Sequence, residues 1–152
     1  MKKSALTVTV GVLLILYALI NFGAGFGQFS KAKMVGGTAS FASSMGKLAG
    51  DKAGAEKVRQ QGASTSSVLY LIAIFILATA ILEVVASIGL FAGKNWAFAI
   101  VVAAAICGII VEIQDTAEDG FGIGKAIFFG INALALIAAF SSRDPDLVST
   151  QH

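Results

Sequence analysis

Charge is what this chain has least of. Only 13% of its 152 residues are Asp, Glu, Lys or Arg, against about 25% in an ordinary soluble domain. So few charges cannot solvate a globular surface, and with 57% hydrophobic residues and a mean hydropathy of +0.84 the shortage excludes a soluble domain. There is one cysteine, Cys107, so no internal disulfide can form; in the middle of an apolar run it serves as a small filler. The one histidine, His152, is the last residue. With no second histidine and no cysteine pair, a haem or iron–sulfur centre has no ligand set within this chain. A formal net charge of only +2, with just Phe29 and Phe41 accompanying the basic residues between 24 and 66, disfavours nucleic-acid binding. The glycines of GAGFG, 23–27, follow an apolar run rather than a strand and lead into no phosphate-binding lysine pattern. No catalytic constellation is present, so an enzyme is not expected. No cofactor is expected either.

What the chain has in abundance is long apolar runs. Four of them, at 5–23, 68–92, 96–113 and 121–140, each approach the roughly 20 residues that a helix needs to cross about 30 Å of hydrocarbon. The expected fold is therefore all-α: an integral membrane four-helix transmembrane bundle forming a single domain. A long polar, Gly-rich loop at 24–66, a tight turn at 93–95 and an acidic link at 114–120 would join the helices, with a tail after Ser141. Lys2 and Lys3 before the first run also fit a secretory signal, but the run is longer than a signal core and is expected to persist as the first helix.

The ends of the runs support this division. AGKNWAF supplies Gly93 to break the helix, Lys94 to reach headgroups and Trp96 to sit at the interface. SSRDPD places Arg143 after the last run and Pro145 where a helix cannot continue. This exit resembles turns in several small four-helix bacterial membrane families, the DoxX-like proteins among them; the resemblance carries over no site residue. A bacterial inner membrane is the expected location, with both termini cytoplasmic. Lys2, Lys3 and Lys94 sit directly at helix ends, whereas the more numerous basic residues of 24–66 mostly lie further off and are partly offset by Asp51 and Glu56.

Each run carries one polar seam. In the second, Ile76, Ala80, Glu83 and Ser87 share a face; in the third, Ala105, Gly108, Glu112 and Asp115; in the fourth, Lys125 and Asn132; in the first, Thr7, Leu14 and Asn21, with Tyr17 adjacent. Small residues beside polar ones mark faces that pack against other helices rather than against lipid. Counted at 1.5 Å per residue, Asn21, Glu112 and Lys125 share a layer roughly 9 Å from the midplane, while Glu83 and Asn132 lie within about 5 Å of it. Glu112 and Lys125 are thus expected to pair. Glu83, with no basic residue at its depth, is expected to be a neutral acid bonded to Asn132 or Ser87, or else to serve a proton or cation path.

Two further sets of residues are candidates. Glu112, Asp115 and Asp119 could offer oxygen ligands to a hard cation, although a solvated helix end is the commoner use of such a cluster, and no metal is expected. In 24–66, Phe41, Met45 and Leu48 fall at i, i+4, i+7, while Gly46, Gly50 and Gly54 recur every four residues. As a helix they would form a contact surface with an apolar ridge and a smooth glycine groove. The expected partners are the lipid bilayer and further copies of the chain or a larger membrane complex. The expected function is that of a structural or accessory subunit, with an oligomeric proton or ion channel using Glu83 as the alternative.

Overall fold

Residues 5–141 of the computed structural model are described here, less the side chains of residues 115, 117–119 and 141; Lys2, Lys3, Arg143, Pro145 and His152 lie outside them. Four helices follow in order: α1 Ala5–Leu48, α2 Lys52–Phe91, α3 Ala97–Asp119 and α4 Ile123–Ser141. Each contains a stretch long and apolar enough to cross a membrane. The four-helix, all-α expectation holds.

The loop does not. Residues 24–48 continue α1 and 52–66 begin α2, leaving only a short turn between them. Gly50 adopts φ +88°, its N–H donates to the Lys47 carbonyl oxygen at 3.2 Å, and the Asp51 N–H donates to that of Gly46 at 3.0 Å. Those two bonds are the Schellman closure of a helix C-terminus, which needs a residue tolerant of positive φ. Asp51 then caps α2: its Oδ1 accepts the Gly54 N–H at 2.9 Å. The second turn repeats the device, with Gly93 at φ +65° and the Lys94 N–H bonded to the Gly89 carbonyl oxygen at 3.0 Å. The expected acidic link is also shorter, because α3 runs on to Asp119 before Gly120 ends it. Helices α1 and α2, with 44 and 40 residues, each hold about twice the length that a bilayer crossing requires.

The chain divides into two compact units, one of residues 21–78 and the other of 1–20 with 79–152. The first is an antiparallel helical hairpin closed by small residues. A Cβ at Gly25 would meet Leu77, one at Gly36 would meet Ser66, one at Gly62 would fall on the Ala39 methyl group, and one at Gly46 would meet Ala55. Gly25, Ala32, Ala39 and Gly46 recur every seven residues, the spacing that keeps one helix face on a partner. Ser66 adds a bond across the seam, its hydroxyl donating to the Ala32 carbonyl oxygen at 2.9 Å. Sequence composition suggested a loop because each glycine costs a solvated helix about 1 kcal/mol; the close approach of two helices offsets that cost, and only the partner helix supplies it.

The second unit is a bundle of the first part of α1, the end of α2, α3 and α4. Its buried cluster is Val10, Leu14, Ala86, Leu90, Ala97, Val101, Ala105, Ala135, Ala138 and Ala139, so alanine does most of the packing. The large side chains Leu16, Leu19, Ile81, Ile88, Ile106, Ile110, Ile127, Ile137 and Phe140 face outward. That inversion of the soluble pattern is what lipid solvent favours: helices approach through small residues and offer bulk to the acyl chains.

Candidate functional site

Within the bundle, the buried face of α1 runs Thr7, Val10, Leu14, Tyr17, spaced three and four apart as a core-facing stripe requires. On α2 the corresponding face is Thr79, Ala80, Glu83, Ala86, Ser87 and Leu90, on α3 Val101, Ala104, Ala105, Gly108, Val111 and Glu112, and on α4 Asn132, Ala135, Ala138 and Ala139. All four helices therefore carry polar groups into an otherwise alanine-rich interior.

Three of these helices meet at one cluster. The Tyr17 hydroxyl donates to Glu112 Oε1 at 2.7 Å, joining α1 to α3. The Tyr17 ring stacks on Phe128 of α4, centroids 5.0 Å apart at 23°. Asn132, one turn further along α4, donates from Nδ2 to the Phe128 carbonyl oxygen at 3.1 Å, and its carboxamide lies within hydrogen-bonding reach of the Tyr17 oxygen. The same carboxamide fills the space over Gly108: a Cβ there would stand 2.6 Å from Asn132 Oδ1 and 2.9 Å from Nδ2. Gly108 and Glu112 are four residues apart, so one face of α3 receives both Asn132 and Tyr17. Asn132 Oδ1 is buried without a hydrogen-bond partner.

The expected seam residues are placed as follows. Glu83 and Asn132 are both 0% exposed and Glu112 is 5% exposed. Asn21 is buried as well, while Lys125 on α4 is half-buried. The Ser87 hydroxyl donates at 2.7 Å to the Glu83 main-chain carbonyl oxygen rather than to its carboxyl group. Because Asn132 Oδ1 accepts no bond, a protonated Glu83 does not donate to it. Tyr17 is the residue that the sequence left beside the seam rather than in it. Its position, three after Leu14 and four before Asn21, was the available signal; its partner lies 95 residues away.

Of the three acidic candidates, Glu112 alone has a described side chain. Glu112 points into the bundle, and among the described residues no three His, Cys, Asp or Glu side chains gather as metal ligands. The side chains of Asp115 and Asp119 lie outside the described part, although both residues are within α3.

The proposed contact surface separates. Phe41, Met45 and Leu48 are exposed, Leu48 at 83%, and Met34 joins them on the same face of α1. Gly46 instead faces Ala55 inside the hairpin seam, Gly50 makes the turn and Gly54 donates to the Asp51 cap. The three apolar residues thus share an exposed face, while the three glycines lie elsewhere. Beyond it, Arg59 grips Glu56 on the hairpin surface with Nη2 to Oε1 at 2.7 Å and Nε to Oε2 at 3.2 Å, and this guanidinium holds the Glu56 carboxyl below its ordinary pKa.

A family model described as "Predicted membrane protein (DUF2127)" matches residues 51–140. The match runs from the cap of α2 to the end of α4 and includes Glu83, Glu112, Lys125 and Asn132. No curated protein and no solved structure matches the chain.

Proposed function

The chain belongs to the DUF2127 family of membrane proteins, and from that premise we propose that it acts by assembly, as a structural or accessory subunit that binds further copies of itself or a larger membrane complex. The observation that supports this is the ridge Met34, Phe41, Met45 and Leu48. It lies in the part of α1 beyond its apolar run and is exposed, whereas the hairpin closes through Gly25, Ala32, Ala39 and Gly46 on another face. Four large apolar side chains aligned on one helix face are surplus to the fold that carries them, and such a stripe marks a contact surface. The host membrane in this reading is a bacterial inner membrane with both termini cytoplasmic.

The test replaces the half-buried Cys107 with serine and introduces Met45→Cys. Cross-linking in native membranes should yield discrete higher-mass species, and Phe41→Ser with Leu48→Ser, made in the same Met45→Cys protein, should abolish them while leaving the unfolding midpoint in place. A chain that stays monomeric by mass in mild detergent, with no cross-linked product in the membrane, overturns the reading. The second reading, an oligomeric proton or ion pathway, rests on Glu83, fully buried in the apolar part of α2. There, Glu83→Gln would fold and assemble normally yet abolish flux in liposomes; under the assembly reading it is silent.

A further inference from the structure

Among the described residues, three buried side-chain polar atoms have no hydrogen-bond partner: Gln28 Oε1, Thr116 Oγ1 and Asn132 Oδ1. Only Asn132 belongs to a fully buried residue. Its orientation is determined, because turning the amide over would set its oxygen against the Phe128 carbonyl oxygen that Nδ2 now faces. An acceptor held this firmly, buried and without a donor, is costly inside lipid, where unmet polar groups are hardest to satisfy. Its surroundings are oxygen-rich. Glu112 is four residues from Gly108, over which the amide sits, and the Tyr17 hydroxyl, beside the same carboxamide, has committed its proton to Glu112 rather than to Oδ1.

We propose that Asn132 Oδ1, Glu112 and the Tyr17 oxygen form a binding site within the bundle for a small monovalent cation, a proton or an alkali-metal ion. The chemistry of the set is that of a hard, oxygen-only site with one amide dipole, one phenol and one carboxylate. A single carboxylate neutralises a single positive charge. A divalent ion needs more carboxylate than this cluster brings together, and a soft metal needs nitrogen or sulfur. The charged and titratable groups around it are Tyr17 on α1, Glu83 on α2, Glu112 on α3, and the half-buried Lys125 on α4, seven residues from Asn132. Lys125 lies about 10 Å along the helix from the amide, so its ammonium is not the missing partner of Oδ1. The proposal concerns binding alone and stands independently of the assembly reading.

The chain has two tyrosines, and the second, Tyr70, lies in the hairpin against Phe29. In a Tyr70→Phe variant labelled with 13Cζ-tyrosine, the one resonance reports the Tyr17 phenol directly. The protein in nanodiscs is titrated with sodium and then potassium chloride at constant ionic strength and alkaline pH, choline being the balancing cation, and separately with acid in choline alone. A saturable shift with sodium or potassium identifies an alkali-ion site. A shift with acid that neither salt reproduces identifies a proton site. The unfolding midpoint should rise with the same ligand, since a species that binds only the folded state stabilises it by mass action, and the rise should vanish in Asn132→Leu or Glu112→Gln. A Tyr17 resonance that responds to neither titration overturns the proposal, whether or not those variants fold; so does an undiminished response in a folded Glu112→Gln protein.

Discussion

The hairpin and the bundle are both built from small residues, yet they use them for opposite purposes. In the hairpin, glycine and alanine bring two helices together and little else is buried with them; Asn21, Ser43 and Ser66 are the polar exceptions. In the bundle, alanines bring four helices together around Tyr17, Glu83, Glu112 and Asn132. Close approach in the first is most of the interaction, with the Ser66 hydroxyl bond beside it. In the second it is the means by which polar side chains meet away from water, where an unmet group costs most. The hairpin should therefore be sensitive to volume more than to hydrogen bonding, and the bundle sensitive to both.

The largest expected effect is steric and lies in the hairpin. Gly62→Leu would drive a side chain into Ala39 and should destabilise the hairpin by about 3 kcal/mol, seen as loss of hydrogen-exchange protection across residues 30–66. Its control is Gly37→Ala, at a position with open space around it, where the same kind of change should stabilise by about 0.5 kcal/mol through helix propensity. Equal effects at both positions would break the seam described here.

Next comes Gly108→Ala in the bundle. The added methyl group would stand 2.6 Å from Asn132 Oδ1, displacing the amide at a cost of about 2 kcal/mol. Asn132→Ala combined with it should recover part of that loss, as coupled neighbours do. Tyr17→Phe keeps the ring stacked on Phe128 and removes only the hydroxyl, so the expected loss is about 1–2 kcal/mol, from a buried Glu112 oxygen deprived of its donor. An unfolding midpoint unchanged by Tyr17→Phe would make the bundle no more polar in its energetics than the hairpin.

The smallest effect belongs to the surface of the hairpin. Arg59 lowers the pKa of Glu56, so the pair's contribution is present above the ordinary glutamate pKa and fades as pH falls through the lowered one. Both groups are solvated, and screening leaves such pairs little to contribute. Glu56→Gln should leave the unfolding midpoint unmoved at neutral pH and remove only a faint acid dependence; a midpoint that moves substantially would mean that the hairpin surface is covered in the membrane-embedded protein.

By itself the sequence determined that four helices are able to cross a membrane, since hydropathy over 20 residues is a local property that no later packing can reverse. It also placed Glu83, Glu112 and Asn132 on inward faces, because a helix with one polar seam among apolar residues has one direction in which to turn it. The turn at Gly50 and Asp51 was legible too, as a C-terminal glycine followed by a capping aspartate, but the glycines and serines around it outweighed that signal. Tertiary structure alone decided the rest. Residues 24–48 and 52–66 are helical because each supplies the close surface that offsets the other's poor propensity, and no window of one segment contains that fact. Tyr17 meets Glu112, and Asn132 settles over Gly108, because three helices far apart in sequence converge there; the spacing along each helix says which way a side chain points, and only the packed bundle says what it finds.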